Sequence, residues 1–144
     1  MTRREAREAA FALIYEREFR KDDTPEKIYE DALEIRELED NEYVRNAFFG
    51  VFEKIAEIDA KIAGASEEWR VERMSRVTVS IMRLCVYELF YEKTIPISVS
   101  LNEAVELAKK YDTDEARAFV NGVLNRISKD PGIVKVPYPP KKKS

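Results

Sequence analysis

Between Met1 and Asp130 the chain carries only two prolines, Pro25 and Pro96, and three glycines, Gly50, Gly64 and Gly122. A chain so poor in turn-forming residues is not divided into many short strands. Helices remain, and the apolar spacing agrees. Ala6, Ala9, Ala10, Leu13 and Ile14 follow the 3- and 4-residue steps of an amphipathic helix over residues 3–20. In a second helix, Thr24 can cap, Pro25 suits the first turn, and Ile28, Ala32 and Ile35 form the apolar side. Val44, Ala47, Phe48, Val51, Ile55, Ile58 and Ile62 predict one long helix from about Glu42 to Ile62, stopped by Gly64.

Ser66 can cap a short helix over "EEWRVERM". Residues 75–93 place Val77, Ile81, Leu84, Cys85, Glu88 and Leu89 in register, until Pro96 intervenes. Ser100-Leu101-Asn102-Glu103 has the pattern of a capping box before "NEAVELAKKY", although a start one turn earlier, at Ser98, is equally open. The last helix holds Phe119, Val120, Val123, Leu124 and Ile127. Its Asn121-Gly122 is a strong hairpin signal, but the surrounding apolar period is 3–4 rather than 2, so helix wins. A glycine inside a helix costs about 1 kcal/mol relative to alanine. Gly50 and Gly122 are therefore both expected at tight helix crossings. "VPYPPKKKS" reads as an extended, solvated tail.

The 144 residues suit one domain or two small bundles sharing a core. Net charge is −3, unevenly spread. Residues 1–21 hold 6 basic and 4 acidic side chains, residues 22–68 hold 5 and 15, and residues 69–144 hold 14 and 9. A polyanion would avoid the acidic middle and approach the ends. The chain is not basic enough for tight nonspecific nucleic-acid binding, so binding would need local placement or a helper protein.

Catalytic readings find little support. The chain has no histidine to activate a serine or cysteine. There is no phosphate-binding loop, dinucleotide fingerprint or metal-ligand spacing, and no cofactor is expected. Cys85 lies on an apolar face and reads as core; a single cysteine suits a reducing cytoplasm. No apolar run reaches membrane-spanning length.

Three arginines, Arg3, Arg4 and Arg7, open the first helix. Cations sit poorly at a helix N-terminus, and guanidinium groups bind phosphate bidentately. They serve either as phosphate contacts or as solubilising charge. Phe119, close to Arg117, is either a platform for an unpaired base or part of the core. Tyr15 has the same two readings.

"RREAREAAFALIY" and "RLCVYEL…IPISVSLNEAVELAKKYDTDEARAFVNGVLNRI" resemble the NusB transcription antitermination family, over residues 3–128. The resemblance implies an all-α fold of two small packed bundles with about seven helices. We place them at residues 1–64 and 65–130, with a tail over 131–144. It implies a noncatalytic factor that binds single-stranded boxA RNA of ribosomal RNA leaders together with NusE, a small-subunit ribosomal protein, and joins the antitermination complex on RNA polymerase. The family's RNA surface maps onto Arg3, Arg4, Arg7, Tyr15, Arg117 and Phe119. Its NusE face maps onto Arg76, Thr78 and Met82. Asp112 stands where the family commonly has glycine, Ala116 where serine is frequent, Ala118 where lysine usually precedes the phenylalanine, and Thr78 where many members are acidic. Two other functions compete. One is an RNA-binding appendage of an rRNA methyltransferase, disfavoured because the chain ends at Ser144. The other is a pure protein scaffold.

Overall fold

A computed structural model describes residues 1–66 and 71–136. The regular structure of these residues is seven α-helices and one 3₁₀ turn: α1 (Arg3–Arg17), α2 (Pro25–Glu34), α3 (Glu42–Glu53), α4 (Ile55–Ser66), the turn Val71–Arg73, α5 (Arg76–Tyr91), α6 (Ile97–Tyr111) and α7 (Asp114–Ile127). None of these helices is long and apolar enough to cross a membrane.

Local chemistry sets most of the helix starts. Thr2 accepts from the Glu5 amide while Glu5 accepts from the Thr2 amide, a complete capping box. Thr24, Asn41, Ser75 and Thr113 cap α2, α3, α5 and α7 through their side-chain oxygens. The exception is α6. It begins directly after Pro96 with no side-chain cap. Ser100 therefore lies inside the helix, with its hydroxyl donated elsewhere.

The fold is organised around α5. Every residue from Thr78 to Leu89 is buried, and the helix packs against α1, α3, α4, α6 and α7. One continuous apolar core draws on all seven helices. Full burial of a Leu, Ile or Phe such as Leu89, Ile81 or Phe48 stabilises by about 1.5–3 kcal/mol each.

Four expectations need correction. The helix predicted over 42–62 is two helices, broken at Lys54 (φ −107, ψ 19). The apolar seam continues across the break, since Val51 and Ile58 are both buried. The bend lets α3 pack on α1, α2 and α5 while α4 packs on α5 and α7. Gly64 does not stop α4, which runs through it to Ser66. The short helix expected over 67–74 lies partly outside the described residues, and its described portion is the 3₁₀ turn.

Third, the two internal glycines differ. At Gly50 an added Cβ would drive into the Tyr87 ring, with Cζ only 2.9 Å away. That is the predicted crossing of α3 and α5. At Gly122 it would meet only Arg126 Nη1, at 3.8 Å. Gly122 is helical but marks no crossing.

Fourth, the start of the tail is docked. Val136 donates its amide to the Lys93 carbonyl at 3.0 Å. Lys135 Nζ donates to the carbonyls of Glu88 and Glu92, 2.8 Å each. Each of those carbonyls also accepts one backbone amide, from Glu92 and Ile95 respectively, and they lie at the α5 C-terminus, where a cation is favoured. Residues 137–144 lie outside the described part.

Candidate nucleic-acid interface

The N-terminal arginines take three different environments. Arg3 is exposed and stands 4.6 Å over the Tyr43 ring. Arg4 keeps 62% of its side chain in solvent while donating Nε and Nη2 to the Glu103 carboxylate of α6, at 3.1 and 2.7 Å. Arg7 is 5% exposed. Its Nε donates to Glu88 Oε2 at 2.6 Å, and its Nη1 lies 3.3 Å from Glu103 Oε1. Arg7 is thus no phosphate ligand in this fold. It lies on the apolar side of α1 with Ala10, Phe11 and Ile14, and burial requires a partner charge.

That partner is Glu88, itself 1% exposed. Besides Arg7, it accepts from the Tyr43 hydroxyl of α3 and from Ser100 Oγ of α6 at 2.7 Å. One carboxylate therefore ties four helices. Burial, then the Glu88 charge, pushes the Tyr43 phenol far above its ordinary value. The Arg4 hydrogen bond, with Arg7 nearby, holds Glu103 below the usual 4.5. Cys85 is sealed in the same region, its thiol pushed up by burial.

From Glu103 a strip runs along the seam of α1 and α6. Glu8 accepts from Lys110 Nζ at 2.6 Å and from the Tyr111 hydroxyl at 3.1 Å. The Tyr111 ring lies 5.0 Å from Phe11, Phe11 is 6.3 Å from Tyr15, and Tyr15 is 5.1 Å from Phe19. Phe19 is 65% and Tyr111 44% exposed. Tyr15 is half-buried within this aromatic row.

Phe119 belongs to a second neighbourhood. It is half-buried and lines a cavity of about 380 Å³ together with Met74, Thr78, Asp112 and Ala116, Arg73 and Glu115 also contributing. Arg117, one turn into α7, pairs with Asp114. The structure brings Arg4 and Arg7 together on Glu103, and Phe119 together with Thr78. It does not put the arginines beside the ring. Glu103 and Asp112 are nine residues apart on and just past α6, roughly 13 Å of helix rise. Lys110 and Tyr111 fill the interval.

The side chains expected on the NusE face point largely inward. Met82 is fully buried, and Thr78 is 5% exposed. Arg76 keeps some exposure but donates to Glu18 Oε1 at 2.6 Å and to the Met74 carbonyl at 2.6 Å. Met82 is thus sealed within the core, whereas Thr78 borders the cavity beside Phe119 and Arg76 keeps an exposed edge.

Sequence reasoning missed Glu88, Glu103, Tyr43, Lys110 and Tyr111 as parts of this region. A signal existed for Glu88. Arg7 and Glu88 are opposite charges that each fall on an otherwise apolar helix face, the pattern of a buried pair.

Comparisons with known proteins converge. A family model described as the NusB family matches residues 4–129. A transcription antitermination protein NusB from Ruminiclostridium cellulolyticum is 44% identical over 131 residues, covering 90% of each chain. The solved NusB of T. maritima superposes with a TM-score of 0.82 at 38% identity, covering 90% of this chain and 92% of that one. A solved complex of antitermination factors NusB and NusE with dsRNA matches with a TM-score of 0.77 at 29% identity, over 90% and 98% of the two chains.

Proposed function

The chain belongs to the NusB family of noncatalytic transcription antitermination proteins, and from that premise we propose that it binds single-stranded boxA RNA of rRNA leaders together with NusE. The complex then joins RNA polymerase in the cytoplasm. The observation that carries this reading is the surface strip from Arg4 through Lys110 and Tyr111 toward Phe119. Cations there can neutralise phosphates, and exposed rings can stack unpaired bases.

In this reading Arg3 and Arg4 contact phosphate, Tyr15 and Phe119 offer ring surface, and Arg117 lies at the start of α7. Arg7 acts behind the surface by orienting Glu103, which in turn holds Arg4. Arg76, the partly exposed member of its group, supplies the NusE contact, with Thr78 and Met82 supporting it from within. The modest net charge fits assisted binding, in which NusE adds contacts that this chain lacks alone.

The test is a titration of boxA RNA against a scrambled RNA of equal length, with and without NusE. Tighter binding of boxA, strengthened by NusE, is expected. Equal affinity for both RNAs under both conditions would leave a protein scaffold as the better reading.

A further inference from the structure

The cavity between α1 and α6, about 310 Å³, is lined by four basic and three acidic side chains. A stretch proposed to meet phosphate is thus close to neutral before any RNA arrives. The pairing inside it repeats one pattern twice. Glu103 accepts from Arg4 Nε and Nη2 at 3.1 and 2.7 Å, and its Oε1 lies 3.3 Å from Arg7 Nη1. Glu8 accepts from Lys110 Nζ at 2.6 Å and from the Tyr111 hydroxyl at 3.1 Å. In each set the outer partner is a solvated cation, since the side chains of Arg4 and Lys110 are 62% and 60% exposed. The inner partner is fixed. Arg7 is buried and tied to Glu88, and the Tyr111 ring packs on Phe11.

We propose that Glu103 and Glu8 form an autoinhibitory latch: in the free protein each occupies the cation that RNA phosphate must take, and each releases it by falling back on its inner partner. This rests on the RNA-binding reading above and adds to it a competitor built into the fold.

The argument is one of exchange. A carboxylate offers a guanidinium two oxygens, as a phosphate does, so both compete for the same Arg4 donors. Loss of Arg4 alone would strand Glu103, whose side chain is only 11% exposed. Arg7 removes that cost, because its charge stays within reach. The Tyr111 hydroxyl does the same for Glu8. RNA binding then trades one ion pair for another and strands no charge, so each contact contributes little net affinity. Such a strip gains most from a partner that adds contacts of its own. Glu106 provides the contrast. It lines the same cavity, but among the described residues its ion pair is with Lys109, at 3.5 Å and well solvated.

The test titrates boxA RNA onto the full chain with saturating NusE, at neutral pH and fixed salt. Glu103→Gln is expected to tighten binding by about 2- to 5-fold, the span of one freed and mostly solvated ion pair. Glu8→Gln should act by a similar factor. The decisive reading is the coupling. With Arg4→Ala already in place, Glu103→Gln should no longer tighten binding, and Glu8→Gln should likewise lose its effect over Lys110→Ala. Glu106→Gln removes the same charge from the same cavity and should have a smaller effect than either. Thermal melts show that each variant is folded at the assay temperature, and the more exposed Glu8 carries the test if Glu103→Gln does not fold. Weaker or unchanged binding in the folded glutamine variants overturns the latch. So does equal tightening with and without the paired cation, or by Glu106→Gln, since either would reduce the effect to long-range charge. Failure of wild type to bind the RNA would instead overturn the RNA-binding reading.

Discussion

Arg7 on α1 and Glu88 on α5 form a sealed ion pair, Nε to Oε2 at 2.6 Å, 81 residues apart in the chain and both almost inaccessible to solvent. Two charges removed from water are tolerated only when their remaining hydrogen-bonding capacity is met. Tyr43, Ser100 and Glu103 meet it here. An arginine that sequence alone offers as an RNA contact is thereby a bolt between helices.

Arg7→Ala leaves the Glu88 carboxylate buried beside two hydroxyls and no cation. It should destabilise the fold by about 3–5 kcal/mol, read by urea denaturation. Arg4→Ala removes a pair whose cation is mostly solvated and should leave stability nearly unchanged, while weakening RNA binding and flattening its salt dependence. An Arg7→Ala protein with normal stability would refute the assignment of this pair.

The two helical glycines should respond to alanine with opposite signs. Gly50→Ala forces a methyl against the Tyr87 ring, which is 7% exposed and packed on Tyr91. Overpacking of this kind costs about 1–3 kcal/mol. Gly122→Ala meets no obstacle and should stabilise by about 0.5–1 kcal/mol through helix propensity. Thermal melts of both variants decide it, and equal signs would contradict the crossing at Gly50.

Glu103 makes acid stability testable. Its folded pKa lies below the ordinary 4.5, first because Arg4 donates to it. A depressed carboxylate contributes stability that is complete above the unfolded value and is lost as pH falls through the folded one. Glu103→Gln should therefore be less stable than wild type at pH 7, and the gap should shrink below about pH 4.5. Denaturant midpoints measured across that range provide the check, and a gap independent of pH would argue against this linkage.

Lys135 should matter although it lies beyond the last helix. Its ammonium donates to two carbonyls at the α5 C-terminus, and burial lowers its pKa despite the nearby Glu88 charge. Desolvation offsets part of what two charge-assisted hydrogen bonds contribute, leaving a loss of about 1–2 kcal/mol on Lys135→Ala. Hydrogen exchange at the end of α5 should rise in the variant. Unaltered exchange would mean that residues 131–136 are not anchored there.

The chain alone determined its helices. Threonine, serine and asparagine caps are local chemistry, and a 3- to 4-residue apolar period reports burial on one face wherever that face goes. It determined too that Cys85 lies inside, because a small apolar-like side chain in register with Ile81 and Leu84 has no better place. Tertiary structure decided the rest. No residue near Lys54 announces the bend, which follows from what α3 and α4 must each cover. Arg4 and Arg7 share a residue type and a terminus, yet one faces water and the other faces Glu88. That difference is a matter of which helix lies across from each, and charges distant in sequence become partners only once α5 and α6 pack against α1.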